Sequence, residues 1–263
     1  MTTLTLGRTG LVINKDAFDA RPLRQVSEAD AERILCGALD AGINLIDTAR
    51  AHTDGEARIA AALARRRSEF FIATKTAAKE SSEFWKDLFM SLRTLKTDCI
   101  DIYQLHNPAA IPRPEDGSGL YEAMQMAQHQ GRIRFLGISV HRLDLATEAV
   151  ESGLYDTLRF PFSHLSGEGE NELLRRCARE GIGFIATKPP GGGRLTDICT
   201  AWAYMAGIEN AVSLWGIRST EELALLAEAM RRPAELTDAQ RARIEADRAA
   251  FADDFRRRGD YGL

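Results

Sequence analysis

Short apolar, β-branched segments alternate with amphipathic helical stretches along the whole 263-residue chain, and eight such β/α units can be traced. Strands this short, joined by helices, pair in parallel. Eight units in a length close to the roughly 250 residues of the typical fold predict an α/β protein, a closed (β/α)8 TIM barrel. The same number of units disfavours an open, doubly wound sheet.

The elements follow in order. "TLTL" and "LVIN" flank Gly7–Gly10 and predict a small N-terminal hairpin. A first barrel strand is expected around Asp16–Phe18. Ser27 with Asp30 three residues on makes a capping box at the start of "SEADAERILCGALDAG", whose helical spacing ends at Gly42. The remaining strands are expected at Ile43–Asp47, Phe70–Thr74, Ile100–Gln104, Ile133–Ser139, Thr157–Phe160, Gly183–Thr187 and Ala211–Leu214, with a helical pattern between each and the next. A further helix is expected to open at Asp54. "LTDAQRARIEADRAAFADDF", with Thr237 and Gln240 in a capping box, predicts an extra C-terminal helix outside the barrel. No linker or charge block divides the chain, so residues 1–263 are expected to form one domain.

Composition excludes several classes. A net charge of −4 argues against a dedicated nucleic-acid binder. No run of 18 apolar residues suggests a membrane span, and "MTTLTLGRTGLVINK" lacks the apolar centre of a signal peptide. A cytoplasmic protein is expected. Cys36, Cys99, Cys177 and Cys199 form no CxxC pair, so neither a metal site nor a disulfide framework is expected. No GxGxxG follows a strand. "PPGGGRL" lacks the Lys-Ser/Thr of a P-loop and reads as a loop able to approach a ligand closely.

In a β/α barrel the chemistry sits at the C-terminal strand ends. Asp47, Lys75 and His106 close three successive strands, followed by Ser139 and His141, Ser163 and His164, and Lys188. Each alone has a bland reading: a cap, a snorkelling stem, a hydrogen-bonded core histidine. An acid, an ammonium and an imidazole at matching strand ends are harder to dismiss, because charges rarely survive burial unpaired.

The motifs "LGRTGLVINK", "AGINLIDTARAHTDGE", "FIATKT", "DIYQLHNP", "GRIRFLGISVHRL", "SGLYDTLRFPFSHLS", "GIGFIATKPPGGG" and "LWGIRSTEEL" occur in this order over nearly the whole chain. With them the sequence resembles the aldo-keto reductases, nearest the subgroup that usually continues into a cysteine-rich iron–sulfur segment. "FRRRGDYGL" stands where those cysteines would begin, so no iron–sulfur cluster is expected. The resemblance implies an Asp-Tyr-Lys-His tetrad beside NADPH or NADH. Asp47, Lys75 and His106 match it, whereas His52 stands in the tyrosine's place in "ARAHTDGE". Imidazole titrates near 6.5 when unperturbed, and its charged form is disfavoured beside Lys75. His52 is therefore expected to be a weak donor or a positioner of substrate.

The resemblance also implies a cofactor set. Ser139 matches the serine near the nicotinamide amide, with Val140 where an Asn is usual. Gly191, Gly192 and Gly193, after Lys188, offer backbone amides to a pyrophosphate. Trp215, Gly216, Ile217, Arg218 and Ser219 match the stretch holding the adenosine end, with Arg218 and Ser219 suited to a 2′-phosphate. The first strand reads "KDAFDARP" where relatives carry glycines. Asp19 there is either a loop cap or a carboxylate that holds a cationic substrate, and His164 is a second candidate substrate contact. A protonated imine already carries its proton and needs no strong acid. The expected function is thus NAD(P)H-dependent reduction of a small C=N or C=O substrate, with cationic amino-acid-derived molecules as candidates, the imine favoured and a partner enzyme as its candidate source. The alternative is a barrel that binds a dinucleotide or small ligand without redox turnover, in a regulatory or partner role.

Overall fold

The structure is a computed structural model that describes residues 2–51, 54–191 and 197–257, the last six as backbone only. Strands β1 (Thr3–Thr5) and β2 (Val12–Asn14) form the hairpin, joined through a 3-10 turn at Gly7–Thr9. The next eight strands are β3 (Asp16–Asp19), β4 (Leu45–Asp47), β5 (Phe71–Thr76), β6 (Ile100–His106), β7 (Ile133–Ser139), β8 (Thr157–Pro161), β9 (Gly183–Thr187) and β10 (Ala211–Gly216). They close into a parallel barrel in chain order, with β10 against β3. Outside lie α1 (Glu28–Asp40), α2 (Gly55–Leu63), α3 (Ser81–Leu95), α4 (Leu120–His129), α5 (Leu143–Ser152), α6 (Glu168–Arg179), α7 (Ile198–Ala206) and α8 (Thr220–Ala229), followed by α9 (Asp238–Arg257).

Two apolar cores explain why the strands read as nearly continuous apolar runs. One lies between strands and helices and includes Phe18, Ile46, Ile72, Tyr103, Ile138, Phe160, Phe184 and Trp215. The other fills the barrel: Ala17, Leu45, Ala73, Ile102, Ile185, Val212 and Leu214 meet Leu6, Leu11 and Ile13 of the hairpin region. The hairpin therefore plugs the N-terminal end. The Thr237 capping box forms in full, whereas at Ser27 the Asp30 carboxylate accepts from the Ser27 hydroxyl at 2.6 Å and only the Oγ half of the box is made among the described residues. Asp30 N donates to Ser27 Oγ at 3.1 Å, and Gln240 N donates to Thr237 Oγ1 at 3.2 Å while Gln240 Oε1 accepts from Thr237 N at 3.0 Å.

Strand ends differ from expectation by a few residues. β4 starts two residues late, because the amide of Ile43 is spent closing α1 on the Ala38 carbonyl. β6 continues to His106 because that residue pairs in register with Ser139 of β7. The plug also depends on one glycine. Gly7 has φ +49°, and a Cβ there would lie 2.3 Å from Gly183 N and 2.4 Å from Gly181 O. Rigid backbone on both sides leaves no room to relax. Gly7→Ala is expected to cost about 3 kcal/mol and to lower the melting temperature by roughly 6–12 °C, measured by calorimetry.

Candidate active site

Side chains alternate in and out along a strand. Two residues beyond five of the apolar barrel-filling positions, on β3, β4, β5, β6 and β9, the inward position becomes polar. Ala17 gives way to Asp19, Leu45 to Asp47, Ala73 to Lys75, Ile102 to Gln104 and Ile185 to Thr187. Gly137 keeps the layer open, since a Cβ there would meet Gln104 Cγ and Thr157 Oγ1, both at 2.6 Å. Ser139 and Arg159 follow at the next inward positions of β7 and β8 and are register partners.

Asp47 is the hub of this layer. Its Oδ2 takes a hydrogen bond from Lys75 Nζ at 2.5 Å, and both side chains are 0% exposed. Lys75 also donates to the Thr48 carbonyl. Gln104 Nε2 donates to Asp47 Oδ1 at 3.0 Å. Arg159, itself buried, brings Nε to 3.2 Å from Asp47 Oδ2 and a terminal nitrogen to 3.6 Å from Asp19 Oδ2. Its other terminal nitrogen donates to Ser139 Oγ at 3.3 Å. Burial by itself would raise the Asp47 carboxyl, but the Lys75 ammonium and the Arg159 guanidinium outweigh it and hold the group below its ordinary range. Burial, and then the Arg159 charge, push Lys75 down to about 8, against the pull of Asp47 and Asp19.

His106 is half-buried at the end of β6. His141, just beyond β7, is pushed down to about 3 by burial and by the positive charges of Lys188 and Arg159. Lys188 is lowered to about 8 by burial and by Arg21 and Arg159. It also takes φ +58°, a left-handed conformation that a β-carbon disfavours and that clusters at functional sites. Asp47, Lys75 and His106 thus end adjacent strands as the sequence implied. Asp19 takes the loop-cap role foreseen for it, its Oδ1 accepting from Arg21 N at 2.9 Å, while its Oδ2 faces a cation. That cation is the chain's own Arg159.

His164 is committed elsewhere. It is 1% exposed, its Nε2 lies 3.1 Å from Asp247 Oδ2 on α9, and its ring packs edge-on against Tyr204. It fastens the last helix to the barrel, a task that corrects the expectation of a substrate contact. Trp215 faces the helix layer and donates to Asp16 at 2.8 Å. Ile217 is buried. Ser219 Oγ caps α8 by accepting from Glu222 N at 3.2 Å, and exposed Arg218 lies 3.5 Å from Glu222. Gly191 is buried with φ +57°. His52, Gly192 and Gly193 lie outside the described residues.

The sequence reading missed Arg159 and Gln104. Their signal was a charged and an amide residue inside apolar strands, "TLRFPF" and "IDIYQLH", each at an inward position. Behind the site Glu56, 2% exposed, accepts from Thr74 Oγ1 at 2.9 Å and Ser91 Oγ at 2.6 Å and pairs with Arg50 at 2.5 Å. This binds the first turn of α2 to β5 and α3.

A TIM barrel whose mouth holds a buried carboxylate–ammonium pair is an enzyme-like scaffold. The sequence model of the aldo/keto reductase family matches residues 16–198, and the chain belongs to that family. It is 30% identical over 212 residues to L-galactose dehydrogenase from Arabidopsis thaliana, covering 73% of this chain and 66% of that protein. Identity to the NADH-specific methylglyoxal reductase of Escherichia coli K12 is 27% over 242 residues, covering 81% of this chain and 72% of that protein. The fold superposes on the holo form of aldo-keto reductase AKR11C1 from Bacillus halodurans with a TM-score of 0.81 and 23% identity, over 94% of this chain and 96% of that one.

Breaking a buried ion pair by removing one partner costs about 3–5 kcal/mol. Asp47→Asn strands two cations and is expected to cost that much in chemical denaturation at pH 7. Lys75→Met is expected to cost less, because Arg159 still neutralises Asp47. The acid limb of stability has a different origin. His141 and His164 are both held below the free imidazole value, first by burial. As pH falls below about 6.5 the unfolded chain therefore binds protons that the native state refuses, and stability falls. His141→Gln is expected to flatten that fall between pH 6.5 and 4, read as melting temperature against pH.

Proposed function

We propose that this chain is an NAD(P)H-dependent reductase of small C=N or C=O substrates. The observation that carries the proposal is the Asp47–Lys75 pair, 2.5 Å apart and fully buried at the C-terminal mouth of the barrel. Burial makes such a pair a strong, preorganised electrostatic frame for charge that develops on a substrate heteroatom.

Features of the mouth fit a nicotinamide dinucleotide. Buried Thr187 Oγ1 and Gln104 Oε1 have no hydrogen-bond partner among the described residues. Lys188 and Arg21 bring positive charge to the rim, and Gly191 takes the positive φ of a loop that can approach a ligand closely. Ser139, Lys188, Gly191–Gly193 and Trp215–Ser219 are the residues proposed to hold it. For Trp215 and Ile217 the part played is packing that supports the loop. The bound dinucleotide would supply the hydride. Arg218 would favour a 2′-phosphate, but Glu222 competes for it and the NADH-specific relative shows that the family accommodates the other choice, so both nucleotides stay in the proposal.

Within the site Lys75, held by Asp47, supplies the electrostatic frame for the substrate heteroatom, His106 orients the substrate by hydrogen bonding, and His52 positions it or donates weakly. Without a phenol, an imine that arrives protonated is the favoured acceptor. A cationic, amino-acid-derived substrate drew its support from Asp19, whose carboxylate already faces Arg159. That part of the expectation is not carried into the proposal. A binding barrel without turnover is the competing reading, and the cofactor assay separates the two.

Quenching of NADPH or NADH fluorescence is expected on binding, followed by oxidation of the bound cofactor with members of a panel of aldehydes and cyclic imines. Lys75→Met is expected to lower kcat by about 10²-fold or more. His52→Ala is expected to lower it by less than about tenfold, or 1.4 kcal/mol. Equal loss in the two variants would contradict the secondary role given to His52. Binding with no oxidation across the panel would favour the non-catalytic reading.

A further inference from the structure

Asp47 is one carboxylate serving two buried cations. Its Oδ2 lies 2.5 Å from Lys75 Nζ and 3.2 Å from Arg159 Nε, while Oδ1 takes the Gln104 amide. Arg159 is fixed by further contacts at Asp19 and Ser139. A guanidinium does not lose its proton in a protein, whereas a buried ammonium does so readily. Of the two cations, only Lys75 can give its proton away and leave Asp47 with a counter-ion. Asp47 and the Thr48 carbonyl take two of its N–H groups. The third has no acceptor among the described residues.

We propose that Lys75 Nζ is the acid of this site, and that Arg159 is the positioning residue that makes it one by standing in as the permanent counter-ion of Asp47. This rests on the reductase reading and extends it to neutral acceptors, which a weak donor at position 52 would serve poorly. Hydride from NAD(P)H forms the new C–H bond, and the π electrons of the C=O or neutral C=N move to the heteroatom. That atom takes a proton from Lys75 Nζ. NAD(P)H is oxidised, the substrate is reduced, and Lys75, left as a neutral amine, regains its proton from solvent. The described groups around Lys75 agree with this balance. Asp47 on β4 and Asp19 on β3 favour its charge. Arg159 on β8 opposes it. Gln104 on β6 and Ser139 on β7 are neutral, and the rim adds Arg21, His106, His141 and Lys188. Burial and Arg159 together bring Lys75 down to about 8.

The chain has six lysines, so their Nζ and Cε resonances can be followed individually in 13C,15N-lysine-labelled protein. Lys75→Met and Lys188→Met variants assign the two at the barrel mouth. Lys75 is expected to titrate near pH 8, and in Arg159→Gln roughly one unit or more higher, while Arg159→Lys keeps it low. An unchanged titration in Arg159→Gln overturns the role of Arg159. A Lys75 that stays protonated up to pH 10 overturns the proposal as a whole. The kinetic arm uses NADPH with 4-nitrobenzaldehyde. Turnover is expected to fall above pH 8 in the native enzyme and in His52→Ala, with the limb moved up by about one pH unit in Arg159→Gln and restored in Arg159→Lys. A limb that vanishes in His52→Ala assigns the acid to His52 and overturns the proposal. Oxidation of NADPH by preformed iminium ions with none by the aldehyde overturns it too, while the reductase reading stands. No oxidation by either, with cofactor bound, overturns both.

Discussion

The upper half of the barrel is organised around one carboxylate shut away from the protein surface. Asp47 is fully buried, and an isolated charge there would be neutralised by its own desolvation. It stays ionised because β5 and β8 deliver two cations to it and β6 delivers an amide. None of these four groups is tolerable alone at that depth. Together they form a polar layer laid across an otherwise apolar tube, and its geometry fixes which strand faces which. A one-residue slip of any contributing strand would turn a charge into the helix layer, so the site also specifies the register of the fold.

The support for this layer lies outside the tube. Glu56 joins α2 to Thr74 on β5 and Ser91 on α3, one residue away from Lys75. Asp101 does similar work lower down, meeting Arg67 and Arg134 at 2.8 Å and the Ile72 amide at 2.9 Å. Asp16 receives both Trp202 and Trp215 behind β3. Buried acids therefore recur on both faces of the strands, each with several donors, and the barrel holds its shape through hydrogen bonds as well as apolar packing.

Much of the fold was legible because periodicity and caps are local. The hairpin, the Ser27 cap, the Thr237 capping box and the strand at Ile133–Ser139 could be read directly from spacing. Asp47, Lys75 and His106 were legible because charge at the end of an apolar strand is conspicuous. Arg159 was not, since its meaning depends on lying across the barrel from β4, a relation between residues more than a hundred positions apart. His164 misled for the same reason in reverse. It follows a strand end, as a site residue would, but Asp247 on the last helix claims it, and only the packing of α9 reveals that.

The hairpin that plugs the N-terminal end has a consequence for traffic. With Leu6, Leu11 and Ile13 filling the bottom of the tube, the polar layer is reached from one side only. Any two ligands stacked along the barrel axis would have to share a single doorway, the deeper one held until the shallower one had gone. For such a pair the order of arrival and departure would follow from the architecture alone.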